Sequence, residues 1–405
     1  MPVISIRNLD VIFGNKTKQS LELLDEGKTR QQIIDATGDV VGVQNANIEV
    51  NEGEICVLMG LSGSGKSSLL RAINGLNPVS RGELLVRDGE RMVDVASCDA
   101  KTLLHLRTHR ASMVFQNFAL MPWLTVLDNV AFGLEMQGMD KLERRAKAMQ
   151  QLELVSLDKW HDKYPHELSG GMQQRVGLAR AFAMDSDILL MDEPFSALDP
   201  LIRTQLQDEL LELQRNLKKT IVFVSHDLDE ALKIGTNIAI MESARIIQQG
   251  APEDIVLNPI NAYVEDFVAH TNPLNVLCGR SLMTQVEQLE RQGQALEQEQ
   301  ELLILNPNDN SFLSISPGGQ VLSASRQDQP LRLAYWQEGE DTELLAADNL
   351  VIAAPDIPMR QAIEIRYRTG LPLLLQENDR LVGILTDKDF YHALLGKHFK
   401  TDAAL

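Results

Sequence analysis

The stretch GLSGSGKSS, Gly60 to Ser68, constrains the fold of this chain more than any other. It follows the apolar run ICVLM and precedes the helical LLRAING, so a strand, a glycine loop and a helix are predicted in that order. The pattern GxxxxGK(S/T) needs this context, because glycines leading into a helix let successive backbone N–H groups curl around an anion. In this reading Gly60, Leu61, Ser62, Gly63, Ser64, Gly65 and Ser68 form a cradle for the β- and γ-phosphates. Lys66 adds a positive charge, and Ser67 offers its hydroxyl to Mg2+.

Further apolar runs, ILLM, IVFV and IAIM, alternate with helical stretches as far as about His270. Such runs suit strands buried on both faces of a largely parallel sheet flanked by helices. Two of them end in residues with chemistry. ILLMDEP, Ile188 to Pro194, closes on two carboxylates: Asp192 at the strand end is placed to hold Mg2+, and Glu193 to orient an attacking water as general base. A strand ending in Asp-Glu is also an ordinary solvated turn, and it is the upstream phosphate loop that favours chemistry. TIVFVSHD carries His226 to the same edge, near the γ-phosphate. His105 and His109 in HLRTH share the i,i+4 spacing of a zinc pair but lack the glutamate and third ligand, so a solvated helix face is expected.

A second anion-type loop lies far downstream. In ELSGGMQQR, Glu167 to Arg175, two glycines after a serine open a predicted helix whose Met172, Val176, Ala179 and Ala183 recur at helical spacing. Taken alone, it is a phosphate site without a phosphate.

The chain has 405 residues and a formal net charge of −19 at pH 7. That balance argues against a nucleic-acid backbone as partner, which needs a basic face. No apolar run reaches membrane-spanning length, and MPVISIRNLD does not read as a secretory signal. The cysteines Cys56, Cys98 and Cys278 have no paired or metal-ligand spacing, which suits a reducing cytosol. VISIRNLDVIF and ANIEVNEGEICVLMG alternate in the β manner around an inserted segment from about Lys18 to Val41. Within it, Thr29 and Gln32 have capping-box spacing and Gly38 closes the short helix they start.

In order along the chain stand the phosphate loop, Gln116 in VFQNFALMPW, LSGGMQQR, DEPFSALD and SHD. That succession resembles the ATP-binding cassette (ABC) ATPases over about Val3 to Ala269. The resemblance implies an α/β P-loop NTPase with a mixed-sheet core, a β subdomain and a helical subdomain, using ATP and Mg2+. It also implies that Ser169, Gly170 and Gly171 bind the γ-phosphate of a second copy's ATP in a head-to-tail dimer. Phe13 in VIFG matches the aromatic that stacks on adenine, with plain core packing as the competing reading. Gln116 would sense Mg2+ and the γ-phosphate, Ser196 to Asp199 would cross the dimer interface, and NFALMPW would receive a transmembrane permease subunit, buried core being the alternative there.

Closer still, the insertion, FALMPWLTVLDNVAFGLEMQG, DPLIRTQLQDELLELQ and FVSHDLDEALKIG look like the ATPase subunits of bacterial importers for glycine betaine, proline betaine and choline, most like the choline branch. Such a subunit would sit on the cytoplasmic face of the cell membrane and serve a periplasmic or extracellular substrate-binding protein indirectly. A nucleic-acid or ribosome-directed cassette, or an importer of another small solute, are the alternatives. After residue 270, TQVEQLERQGQALEQEQEL, Thr284 to Leu302, is expected as a solvated helix or linker. The stretch DIPMRQAIEIRYRTGLPLLLQENDRLVGILTDKDF reads helix, strand, turn, strand, helix and resembles a single CBS module. The expected organisation is thus a cassette at 1–270, a linker or degenerate regulatory region at 271–350, and a small α+β CBS-like domain at 351–400.

Overall fold

A computed structural model describes residues 2–395 except 197, 270, 293–300, 307–309, 338 and 343–344. The chain divides into two units, Met1–Pro252 and Glu253–Leu405, so the division falls earlier than the boundary expected near 270.

The first unit runs through β1 (Pro2–Phe13), α1 (Thr17–Asp25), α2 (Arg30–Thr37), β2 (Val40–Asn51), β3 (Ile55–Met59) and α3 (Lys66–Ile73). It continues with β4 (Arg81–Asp88), β5 (Arg91–Asp94), α4 (Ala100–His105) and β6 (Ala111–Val114), then α5 (Val126–Met136), α6 (Lys141–Leu154) and α7 (Gly170–Ala183). It closes with β7 (Ile188–Asp192), α8 (Pro200–Leu217), β8 (Thr220–Val224), α9 (Leu228–Ile234), β9 (Asn237–Glu242) and β10 (Arg245–Gly250).

Six of these strands form one sheet in the order β10-β9-β3-β8-β7-β6, parallel except for β10. Every residue of β3, β7 and β8 is buried, as a parallel sheet covered on both faces requires. Because these three strands run the same way, Gly60, Glu193 and Ser225 all leave the sheet at one edge, where ligands of α/β sheets bind. An antiparallel sheet, β2-β1-β4-β5, joins it through a shared core that includes Ile4, Leu58, Leu69 and Val224. A separate core of Val130, Leu134, Leu152 and Val176 packs α5, α6 and α7 into a helical subdomain.

The insertion is a helical hairpin. The expected capping box at Thr29 and Gln32 is present, and Gly38 ends α2 in the left-handed region with φ of 78°. Sequence reading missed α1, whose Leu24 packs with Ile33, Ile12 and Val41.

After α10 (Pro252–Leu257), α11 (Ala262–Val268) and α12 (Gly279–Leu282), the second unit contains two sheets. One is an antiparallel meander of β12 (Arg291–Gln292), β13 (Glu301–Asn306), β14 (Ser311–Ile315), β15 (Val321–Arg326) and β16 (Gln329–Pro330). The other uses β11 (Thr284–Gln285), β17 (Arg332–Tyr335), β18 (Asn349–Ala353), β19 (Leu373–Glu377) and β20 (Arg380–Leu385), with α13 (Met359–Thr369) and α14 (Asp387–Leu395) completing the expected alternation.

The expectation of a helix or linker over Thr284 to Leu302 is corrected: apart from a helical turn at Val286–Gln288, its regular structure is strand at both ends, and residues 293–300 lie outside those described. Burial decided this. Leu303, Leu305, Leu313 and Ile315 pack against Leu350, Ile352, Leu374 and Ile384, and that apolar face outweighs the Gln/Glu-rich composition beside it.

Candidate functional site

The phosphate loop is shaped by two glycines. Gly60 has φ of +140°, and a Cβ there would lie 2.1 Å from the Met241 carbonyl oxygen. Gly65 has φ of +104°, and its Cβ would lie 2.3 Å from the Gly42 carbonyl oxygen. No other residue fits either place. Lys66 folds back so that its Nζ donates to the carbonyls of Gly60 at 2.8 Å and Leu61 at 3.0 Å. Burial pulls the Lys66 ammonium below the ordinary lysine pKa, while Glu193 and then Asp192 oppose that by favouring its charge.

The loop borders a cleft of about 480 Å³, large enough for a nucleotide. Its walls bring together Phe13, Ser62, Gly63, Gly65, Lys66, Ser67, Ser68, Gln116, Glu193 and His226 from the sequence reading, with Arg30, Val40 and Gly42 added. Phe13 is 38% exposed, so it is not packed as plain core. Gly60, Leu61 and Ser64 shape the loop without lining the cleft: Leu61 is exposed, while the Ser64 carbonyl accepts from the Ala244 N–H at 3.0 Å.

Beneath the loop, the Ser67 hydroxyl donates to Asp192 Oδ1 at 2.7 Å. Arg71 donates to Oδ2 of the same carboxylate through Nε at 3.2 Å and Nη2 at 2.9 Å. Sequence reading missed Arg71, although its i,i+4 relation to Ser67 on α3 was a usable signal. Asp192 is wholly buried and would be costly there without these partners.

Glu193 turns the chain off the β7 axis. Its φ of +49° costs a non-glycine residue about 1 kcal/mol, and the turn is held from three sides. Its N–H donates to the Val224 carbonyl at 3.2 Å, and its own carbonyl accepts from Ser196 Oγ at 3.0 Å and Gln174 Nε2 at 3.4 Å. Its side chain then meets both of the remaining predicted groups: Oε2 accepts from Gln116 Nε2 at 3.0 Å and lies 3.5 Å from His226 Nδ1. Arg180 steadies the segment after Gln116, donating to the carbonyls of Phe118 at 2.9 Å and Ala119 at 2.6 Å.

The remaining predicted residues stand elsewhere. Ser169 caps α7, its hydroxyl accepting from the Met172 N–H at 3.4 Å, and Asp199 caps α8, accepting from the Ile202 N–H at 3.1 Å. Neither of these, nor Gly170 or Gly171, lines the cleft of its own chain. Ala197 of the SALD stretch lies outside the described residues. His105 and His109 stack at 4.8 Å between ring centroids, with His105 Nε2 3.3 Å from Asp88, and no metal-binding group of three or more His, Cys, Asp or Glu occurs among the described residues.

Fold and site together define a P-loop ATPase cassette with a second unit appended. Residues 43–196 match the ABC transporter family and residues 343–396 the CBS domain family. A solved dimer of the ATP-binding cassette MJ0796 in a post-hydrolysis state, bound to ADP and Pi, covers 62% of this chain and 98% of its own with a TM-score of 0.53 and 28% identity. The glycine betaine/carnitine transport ATP-binding protein GbuA of Listeria monocytogenes is 40% identical over 100% of both chains. ProV of Escherichia coli, a glycine betaine/proline betaine transport ATP-binding protein, is 40% identical over 96% of this chain and 97% of its own. OpuAA of Bacillus subtilis, a glycine betaine transport ATP-binding protein, is 50% identical over 70% and 67%. The chain belongs to the ABC transporter family, as an ATP-binding and ATP-hydrolysing subunit.

Proposed function

We propose that this chain powers the import of a small methylated amine solute, working in pairs on the cytoplasmic face of a membrane permease that receives its cargo from a substrate-binding protein. The observation that carries the reading is the 40% identity to GbuA over 100% of each aligned sequence, the second unit included. The relatives are named for glycine betaine, proline betaine, carnitine and, in Ruegeria pomeroyi, trimethylamine N-oxide. Their shared chemistry is a nitrogen bearing methyl groups and no N–H, so the proposal stands at that class rather than at choline.

Within the cassette, Phe13 takes the adenine face, the loop amides and Lys66 take the phosphates, and Glu193 accepts the proton of the attacking water. His226 and Gln116, both beside the Glu193 carboxylate, keep it aimed at that water. Ser67 and Asp192 offer only hard oxygen donors, which suits Mg2+, whose other ligands would come from phosphate and water. When bound, the ion neutralises charge on the β- and γ-phosphates. Ser169, Gly170, Gly171 and Asp199, outside the cleft of their own chain, serve the nucleotide of a second copy. Trp123, 73% exposed, and the apolar groove lined by Phe115, Met121, Phe132 and Met136 offer the permease a docking surface. In the second unit we assign one CBS module, because the β12–β16 meander contains no helix among its described residues.

The test is uptake. Co-expressed with a permease and a substrate-binding protein of the same importer class, the chain should support ATP-dependent accumulation of radiolabelled glycine betaine and co-purify with the permease. Accumulation of an unrelated solute instead, or no association with a permease, defeats the proposal.

A further inference from the structure

The helical hairpin between β1 and β2 plays no part in the reading above, yet it ends at the phosphate loop. We propose that Arg30, the first residue of α2, binds the phosphate chain of the nucleotide, an inference that rests on the assignment of Gly60 to Ser68 as the ATP site. Arg30 lines the same cleft as Phe13, Ser62, Gly63 and Lys66. Its Nη1 donates to the Gly63 carbonyl at 3.0 Å, while its Nε is buried with no hydrogen-bond partner among the described residues. A guanidinium is charged at all working pH values and presents five donors in a planar fork matched to phosphate oxygens. A buried donor lacking an acceptor is unfavourable, and an anionic oxygen entering the cleft supplies one.

The charge balance of the cleft points the same way. Lys66 is already held by two loop carbonyls and faces the carboxylates of Glu193 and Asp192, and Arg71 is committed to Asp192. Among the described residues Arg30 is engaged by one neutral carbonyl, that of Gly63, and by no carboxylate, so its charge can meet a phosphate.

The hairpin is built to hold that side chain in place. The Thr29–Gln32 capping box fixes the turn on which Arg30 sits. Buried Asp39 accepts from Ser20 Oγ at 2.9 Å and from the N–H groups of Asn15 and Lys16 at 3.1 Å each, closing the base of the hairpin. Asp25, at the end of α1, accepts twice from Arg81 Nη1, at 2.8 and 2.9 Å, which ties the hairpin to the antiparallel sheet. An arginine carried on so braced an element is positioned before the nucleotide arrives, and preorganisation of this kind lowers the entropy lost on binding.

Calorimetric titration of the full chain with ATP and with ADP, in magnesium buffer, tests this. Arg30→Ala is expected to weaken both nucleotides about tenfold or more and to flatten the dependence of ATP affinity on salt. Arg30→Lys, which keeps the charge, should recover most of the loss. Arg30→Gln, which keeps a donor for the Gly63 carbonyl without the charge, should not. Unchanged affinity in Arg30→Ala, or full recovery in Arg30→Gln, overturns the proposal and leaves Arg30 as a tie between hairpin and loop. Lys66→Ala separates the two levels: if it loses nucleotide while Arg30→Ala does not, only the role of Arg30 falls, whereas if both retain nucleotide the ATP-site assignment falls with it.

Discussion

The Glu193 carboxylate is where the site converges. One oxygen, Oε2, meets the Gln116 amide and the His226 ring, and the left-handed backbone at Glu193 aims it away from the strand into the cleft. A residue held in an unfavourable conformation by three separate contacts is one whose position is enforced by its surroundings. Glu193→Gln is therefore expected to lower ATP turnover by about a hundredfold or more, as loss of a general base does, with ATP affinity preserved. Steady-state hydrolysis beside equilibrium binding checks this, and turnover near that of the parent would show the base to be elsewhere. Lys66, Ser67, Asp192, Glu193 and His226 were all legible in the sequence, since each sits at a fixed offset in a motif or at the end of an apolar run. Arg30 was not, because its contact with Gly63 spans the insertion, β2 and β3, and no local pattern encodes it.

Among the elements, α7 begins at the LSGG stretch, and none of Ser169, Gly170 and Gly171 lines the cleft of its own chain. Ser169 and Gly170 are exposed there, while the helix body buries Val176, Leu178, Ala179 and Ala183. A helix end that offers free N–H groups to solvent is available to a phosphate brought by another molecule. Ser169→Arg should abolish hydrolysis and leave ATP binding to the isolated subunit nearly intact. Collapse of that binding would place the loop in the site of its own chain. Substituting the serine also removes the cap on α7, worth about 1 kcal/mol, so a modest drop in melting temperature is expected alongside. The Thr284–Leu302 stretch shows how element-level reading fails. Its composition resembles a solvated helix, but neighbouring strands need partners for their apolar faces, and sheet pairing is decided by residues distant in sequence.

At the scale of the whole molecule, the two units differ in how cleanly they can be cut. β17 pairs with β18 and β11 with β20, and Leu277, Leu282 and Trp336 share a core with Val351, Ala353, Leu373 and Leu375. A chain ended at Asn349 would thus keep half a core and expose it, forfeiting about 1.5–3 kcal/mol for each large apolar side chain uncovered. Such a chain is expected to aggregate, whereas one ended at Pro252, though shorter, should remain monodisperse and bind ATP, as size-exclusion chromatography and nucleotide titration would show. The reverse result would mean that the second unit is not the cooperative block its shared core implies.

The sequence by itself determined the phosphate loop, the strand-end acids and histidine, the order of motifs and the helix-strand-turn-strand-helix run near the end, because each depends on neighbours a few residues apart. Tertiary structure alone decided that Gln116 and His226 meet on one oxygen of Glu193, that the meander forms, and that the hairpin brings Arg30 to the loop. Those outcomes follow from which distant surfaces must be buried together, and burial of that kind leaves no periodic trace in a single stretch of chain.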